Sequence, residues 1–214
     1  IDELPMLTRE LILERLGRFE PGSKPVSNED AETGKLPDID RNPWVRGDKP
    51  LTPAAVLVPL VMRDDGMTVL LTRRTDHLKD HAGQISFPGG RVDDSDRDAC
   101  HTALRETEEE IGLTSAAIEV VGRLADYVVG TGYLVSPIVG LIEPPFALKP
   151  QAGEVAEVFE APLDYVLNPE NIERHSRQYE GTERFFFAIT WDDHYIWGAT
   201  AGMLRNLSNI VWST

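Results

Sequence analysis

The sequence predicts a mixed-sheet α/β sandwich of the α+β kind, and three observations carry that prediction. The runs AAVLVPLVM (54–62) and MTVLLT (67–72) are apolar and rich in β-branched residues, with the turn Arg63-Asp64-Asp65-Gly66 between them. The spacing becomes helical from Asp96 to Ile111, after the loop-forming FPGGRVDDS. Further strand-like runs then follow one another across short glycine turns. Strands joined by hairpins with only a few helices indicate a mixed sheet rather than a doubly wound parallel one.

Taken in order, IDELPMLTRELILERL reads as an amphipathic helix with acidic residues and without a signal-peptide pattern. Pro21 to Pro53 is rich in Pro, Gly, Asp and Asn, and reads as an arm or linker. The expected division is therefore an N-terminal helix and extended arm over 1–53 and one main domain over 54–214. After the hairpin and the 96–111 helix, Gly112 is a natural terminator. IEVVGRLADYVV (118–129) and YLVSPIVGLI (133–142) are expected as strands around a glycine turn. EPPFALKPQAG is expected as a loop, EVAEVFEAPL as a strand, and Leu163 to Asn168 as a short helix. RHSRQYE and ERFFFAIT are expected to pair across Gly181, and ATAGMLRNLSNIVW to close the chain as a helix.

The chain has 214 residues, enough for one substantial core, and 21 Lys plus Arg against 36 Asp plus Glu give a net charge of −15. Such a surface has no electrostatic footing for a nonspecific grip on nucleic acid or an anionic membrane. An anionic substrate would need local help from a metal ion or a few placed arginines. The single cysteine, Cys100, rules out an intrachain disulfide and fits a reducing, cytoplasmic setting. No apolar run reaches the roughly 18 residues of a membrane span. A homodimer is expected from base rates alone.

The most informative segment is 89–113. At about 100° per residue, with Glu106 at zero, Glu110 falls at about 40° and Glu109 at about −60°. Ala99 and Ala103 lie beside them and are expected to leave room for a ligand. Cys100, Leu104, Thr107 and Ile111 gather on the adjacent face, which is expected to pack on the core. Glu108 points away and is expected to be solvated. Carboxylates so close repel one another, and a hard oxygen-seeking cation such as Mg²⁺ would remove the conflict while gripping phosphates. A bare acidic run is equally an ordinary solvent-facing helix. The glycine loop before it and the Arg105-Glu106 pair favour the metal reading.

This segment resembles the Nudix box, the loop-helix-loop signature of hydrolases that cleave a nucleoside diphosphate linked to another group. Its pattern is Gly, five residues, Glu, seven residues, Arg-Glu, an apolar residue, any residue, Glu-Glu, any residue, Gly. Arg105 to Gly112 fits the second half, with Thr107 at the apolar place. In the first half Asp96 replaces the glutamate, and eight residues rather than seven separate it from Arg105. Upstream, LLTRRTDHLKDHAGQISFPGG (70–90) is similar to the extra motif of the coenzyme A pyrophosphatase branch, which also carries an Asp and one added residue in its box. Leu70, Leu71, Thr72, Arg74, Gly83, Phe87, Pro88, Gly89 and Gly90 match it, while Thr75 and Lys79 stand where Ser or Ala and Arg are usual. YIWGATAGML (195–204) also looks typical of the branch.

The resemblance implies a Nudix-type α/β/α sandwich and hydrolysis of coenzyme A to 3′,5′-ADP and 4′-phosphopantetheine, with Mg²⁺ or Mn²⁺. It implies Glu106 and Glu110 as the principal metal ligands, and Glu109 as a third ligand or water-orienting group. Arg105 is expected to orient a glutamate rather than touch substrate. Gly89 and Gly90 would let the backbone turn close to the metal and phosphates. Arg74, then Arg73 and Lys79, are candidates for an anionic group of the substrate, and His81 and Gln84 for the same region. Glu154 is the preferred general base over Glu157. Two other readings are an ADP-ribose or NADH-type dinucleotide pyrophosphohydrolase, and a catalytically silent Nudix-like domain that binds nucleotides as a sensor.

Overall fold

The computed structural model describes residues 6–17, 50–77, 82–179 and 181–213. Its centre is a sheet of eight strands. β1 (Thr52–Arg63) and β2 (Gly66–Arg74) form the expected antiparallel hairpin, in a register that puts Leu60 opposite Val69 and Arg63 opposite Gly66. On the other side of β1 runs β7 (Tyr133–Ile142), parallel, from Thr52↔Tyr133 to Val61↔Ile142. The remaining strands of this sheet pair antiparallel around that core. β3 (Ile85–Ser86) and β8 (Val155–Pro162) pair with β2, and β4 (Gly89–Arg91) pairs with the start of β1. β5 (Ile118–Arg123) and β6 (Tyr127–Val129) line β7.

Both faces of the sheet are covered, which explains why its central strands read as unbroken apolar runs instead of alternating ones. Ala55, Leu57 and Val61 of β1 point to one face, where they pack with Ala103 and Ile111 of α2 (Ala99–Ile111). Ala54, Val58 and Leu60 point to the other. There they meet α1 (Arg9–Leu16), α3 (Leu163–Leu167) and α4 (Ala199–Val211) through Ile12, Leu163, Leu204 and Leu207. A three-stranded antiparallel sheet, β9 (Glu173–Tyr179), β10 (Thr182–Trp191) and β11 (His194–Trp197), extends this second face. The result is the α/β/α sandwich expected.

The differences from the sequence reading have local causes. α2 begins at Ala99, not Asp96, because Asp98 is its N-cap and accepts the His101 backbone N–H at 2.8 Å. The 118–129 run is two strands, since β5 leaves its register at a bulge between Val120 and Gly122 and the chain bends between Arg123 and Tyr127. There Asp126 is tied to Arg123 at 2.8 Å and to Ser136 at 2.7 Å. β3 ends just before FPGG and β4 begins inside it, both too short to carry a period. β11 follows a turn at Asp192, whose φ is +53°, and the polar DDHYIW gave no strand signal. Of the 21–53 arm, residues 21–49 lie outside the described residues, and Thr52 and Pro53 already belong to β1. No helix among the described residues is long and apolar enough to cross a membrane.

Candidate active site

α2 is held at both ends by its own sequence. Asp98 caps the start, and Gly112 ends it in the left-handed conformation at φ 71°, its N–H donating to the Glu108 carbonyl. Thr107 and Ile111 are buried as the helical wheel predicts, with Cys100 and Leu104 packed partly against the same core. Thr107, at the place of an apolar residue, is tolerated because its hydroxyl donates to the Ala103 carbonyl one turn back, at 2.6 Å. The two alanines are a correction. Ala103 is fully buried in the core and Ala99 packs against it, so the small side chains bring the helix close to the sheet and do not line a ligand space.

Two carboxylates meet the glycine turn. The Glu110 Oε2 accepts the backbone N–H of Gly89 at 3.3 Å, across 21 residues of sequence. A Cβ on Gly90 would stand 2.5 Å from the Glu106 carboxylate, so glycine there makes the space that this side chain fills. Gly89 has its own reason: a Cβ would fall 2.4 Å from the Ala55 carbonyl oxygen of β1. Burial pushes the Glu110 carboxyl up to about 7, against the opposing pull of the Gly89 N–H and the Arg74 charge. Burial also raises Glu106, countered by Arg105. Glu109 differs from the wheel's grouping. Its side chain is more than half exposed and turns to Arg105 Nη1, at 3.2 Å. Glu108 is exposed.

Arg105 is fixed from behind. Its Nε and Nη2 donate to the two oxygens of Asp96 at 2.9 and 2.8 Å, and its Nη1 reaches Glu106 at 2.8 Å. The Asp96 side chain is shielded from solvent and also accepts from the Asp93 N–H at 2.9 Å and the Thr102 hydroxyl at 2.8 Å. His101 Nδ1 lies 2.9 Å from its Oδ1. The Arg105 guanidinium and these donors hold the Asp96 carboxyl far below the ordinary carboxylate range. Asp96 thus acts as the anchor of the arginine. Sequence spacing gave no sign of it, because the residue looked like a misplaced glutamate.

The strand β2 divides its two arginines. Arg74 lies on the α2 side, where its charge lowers the Glu110 carboxyl, and its backbone N–H donates to the Gln84 carbonyl at 3.0 Å. The Arg74 Nε is buried without a hydrogen-bond partner. Arg73 faces the opposite way and pairs with Glu157 of β8 at 3.0 Å, so it does not join Arg74 at the carboxylates. Glu154, in the turn before β8, is near enough to Glu110 to raise it. Glu157 is committed to Arg73 and to His194 on the other face. A bulge between Arg73 and Arg74 shifts the pairing of β8, which the even alternation of its sequence concealed. Lys79 and His81 lie outside the described residues.

Among the described residues no three acidic, imidazole or thiol side chains stand ready as a cluster around one point. Mg²⁺ asks for less: it binds through one or two carboxylates and completes its shell with waters and substrate phosphates. Glu106, partly exposed, and Glu110, buried, set against a turn that only glycine permits, fit such a hard cation.

Comparison with known proteins agrees with this geometry. The model of the NUDIX domain matches residues 51–181. The chain is 40% identical over 158 residues, 74% of its own length and 79% of theirs, to proteins of Yersinia pestis (strain Pestoides F) and Yersinia pseudotuberculosis serotype O:1b (strain IP 31758), both named uncharacterized Nudix hydrolase NudL. Among solved structures, a Nudix hydrolase from M. smegmatis, RenU, aligns at 22% identity and a TM-score of 0.47, over 56% of this chain and 75% of that one. With the family model spanning most of the chain and the relatives spanning three quarters of it, the chain belongs to the NUDIX domain family, among the Nudix hydrolases.

Proposed function

We propose that this Nudix hydrolase cleaves the diphosphate bond of coenzyme A or an acyl derivative, giving 3′,5′-ADP and 4′-phosphopantetheine or its acyl form. The observation that carries the reading is the meeting of Glu106 and Glu110 at the Gly89-Gly90 turn, with Arg74 charged beside them. The choice of coenzyme A over other nucleoside diphosphate derivatives rests on the motif at 70–90, which ends in this same turn. Arg74 then meets the extra phosphate that sets coenzyme A apart from plain dinucleotides.

When bound, Mg²⁺ or Mn²⁺ withdraws charge from the diphosphate and so lowers the barrier to attack on phosphorus. Glu106 and Glu110 would hold the cation. Arg105, anchored by Asp96, keeps Glu106 in place and holds Glu109 at the outer edge of the site, from which Glu109 would orient the attacking water by turning away from Arg105. Glu154 accepts that water's proton as general base. Gly89 and Gly90 let the turn pack on Ala55 and on the Glu106 carboxylate, so that its backbone lies beside the groups that would hold the cation.

The test is product identification after incubation with coenzyme A and Mg²⁺, beside dephospho-coenzyme A, ADP-ribose and NADH. Release of 3′,5′-ADP and 4′-phosphopantetheine, with coenzyme A preferred, is the expected result. Equal or better turnover of substrates lacking the 3′-phosphate rejects the coenzyme A assignment in favour of a dinucleotide hydrolase. Thermal stabilisation by nucleotide without turnover of any diphosphate would show a sensor.

A further inference from the structure

Among the described strands, β4 pairs with β1 alone. The Pro88 carbonyl accepts the Leu57 N–H at 2.9 Å and the Val92 N–H donates to the Pro53 carbonyl at 3.1 Å, so both face β1. The alternate residues, Gly89 and Arg91, turn their backbone groups the other way. That outer edge is the rim of the carboxylate site. The Gly89 N–H donates to Glu110 there, and the Arg91 carbonyl accepts Arg105 Nη2, each at 3.3 Å. A substrate held by these groups lies along the edge of β4, with both faces of the strand within its reach.

The two sides of this edge differ in charge. Gly90 faces α2 and the Glu106 carboxylate. Arg91 is the next residue of the strand, so its side chain leaves on the other side, where Ala54, its partner in β1, and Tyr133 of β7 meet the second core. The Arg91 Nε donates to the Tyr133 hydroxyl at 2.9 Å, Nη2 donates to the same oxygen, and the guanidinium stands 5.3 Å from the centre of the Tyr133 ring. Arg91 is exposed, and its other N–H groups have no partner among the described residues. Arg9, Arg63, Arg105 and Arg123 are each paired with a carboxylate. In a chain with 36 acids to 21 bases, Arg91 is held by a neutral phenol instead. Its direction is fixed without its charge being spent.

A diphosphate that links two groups carries a negative charge on each phosphorus. A divalent cation between Glu106 and Glu110 would be balanced by those two carboxylates, and the Arg105 charge is taken up by Asp96 and Glu106. The charge of the substrate itself then needs further cations. Arg74 stands beside Glu110 on the α2 side. Arg91 stands on the other side of the same edge with donors to spare, and a guanidinium fork suits phosphate oxygens.

We propose that Arg91 is a substrate-binding residue that grips the diphosphate from the side opposite the carboxylates, and that Tyr133 is the positioning residue that aims it. The inference rests on the reading of this site as one that binds a diphosphate, and it holds for any substrate of that class, coenzyme A or another.

The experiment titrates α,β-methylene-ADP, a diphosphate that cannot be cleaved at its bridge, into the whole protein with Mg²⁺ by calorimetry. Arg91→Met is expected to weaken it about tenfold or more, the size of a lost charge-assisted contact. Arg91→Lys, which keeps the charge without the fork, restores part of the affinity; an arginine needed only for the fold would show no such dependence on charge. Tyr133→Phe weakens the analogue a few-fold in the presence of Arg91 and has no further effect in Arg91→Met, because it acts through the guanidinium. Both side chains reach the surface, and melting temperatures close to wild type check the fold of each variant. In kinetics, Arg91→Met lowers kcat/KM by a similar factor for every substrate the wild type cleaves among coenzyme A, dephospho-coenzyme A, ADP-ribose and NADH. Unchanged affinity in Arg91→Met overturns the proposal, and a loss confined to coenzyme A moves Arg91 to the 3′-phosphate and overturns it too. A Tyr133→Phe effect that persists in Arg91→Met removes the positioning role. If the analogue behaves as expected while coenzyme A is not hydrolysed, the proposed substrate fails and the role of Arg91 stands. If coenzyme A is hydrolysed and Arg91→Met binds the analogue as wild type does, the role of Arg91 fails and the substrate stands.

Discussion

Asp96 shows how a departure at one position is absorbed by another. An aspartate is one methylene shorter than a glutamate, and the chain between it and Arg105 is one residue longer than the family pattern, yet its carboxylate grips the guanidinium through both oxygens. Asp96→Asn keeps the shape and removes the charge from a carboxylate shielded from solvent. Because Arg105 stays about a quarter exposed, losing this charge-assisted pair costs about 2 kcal/mol. Urea unfolding of the metal-free protein should show that loss, together with weaker Mn²⁺ binding as Arg105 loosens its hold on Glu106. Glu110 makes a prediction in pH. Its folded-state carboxyl is raised from 4.5 to about 7, so the unfolded chain gives up its proton first. The stability this group contributes is therefore full below about pH 4.5 and lost as pH rises through about 7. In EDTA, Glu110→Gln should melt with the wild type at pH 4 and above it at pH 7.5, and Mn²⁺ should raise the melting temperature of the wild type alone.

Among the elements, the contact between β4 and α2 sets the site's geometry. Gly90 pairs with Ala55 of β1, and the place of its missing Cβ is taken by the Glu106 carboxylate at 2.5 Å. In Gly90→Ala the methyl group displaces that carboxylate. A shift of about 1 Å in a positioned catalytic group costs on the order of a hundredfold in rate. Steady-state kinetics should show this fall mainly in kcat, with a higher Mn²⁺ requirement and a melting temperature within a few degrees of wild type. The same strand logic separates Arg73 from Arg74. Adjacent residues of a strand face opposite ways, so the motif that reads as one basic cluster in sequence serves two faces of the sheet.

At the scale of the whole molecule, the sheet is a partition with the carboxylate helix on one side and α1, α3, α4 and the small sheet on the other. α1 is part of the second layer: Ile12 is fully buried, and Leu16 packs against Gly122 of β5 at 3.0 Å from where a Cβ would stand. Ile12→Ala should cost about 3 kcal/mol by cavity formation. Denaturant unfolding should show one transition at lower midpoint, with KM for the substrate unchanged, because the cavity opens on the face away from Glu106 and Glu110.

Much of this was legible in the residues alone. The β1–β2 hairpin, the exact span of β7 and the closing helix follow from local pattern, since β-branched runs, turn residues and helical spacing act over a few residues. That the α2 carboxylates lie on one helix behind a glycine turn was legible because helical spacing fixes which side chains share a face.

What the sequence determined is the set of local structures and the chemical kind of the site: a short helix of acids behind a glycine loop, on a sheet buried on both sides. The tertiary structure decided which of those acids turn inward and which arginine stands beside them. It seated Asp96 under Arg105, turned Glu109 outward, and used a bulge to bring Glu154 and Arg74 to Glu110 while sending Glu157 and Arg73 to the far face. Such choices depend on strand register and on contacts between residues more than eighty positions apart, and no local period encodes them.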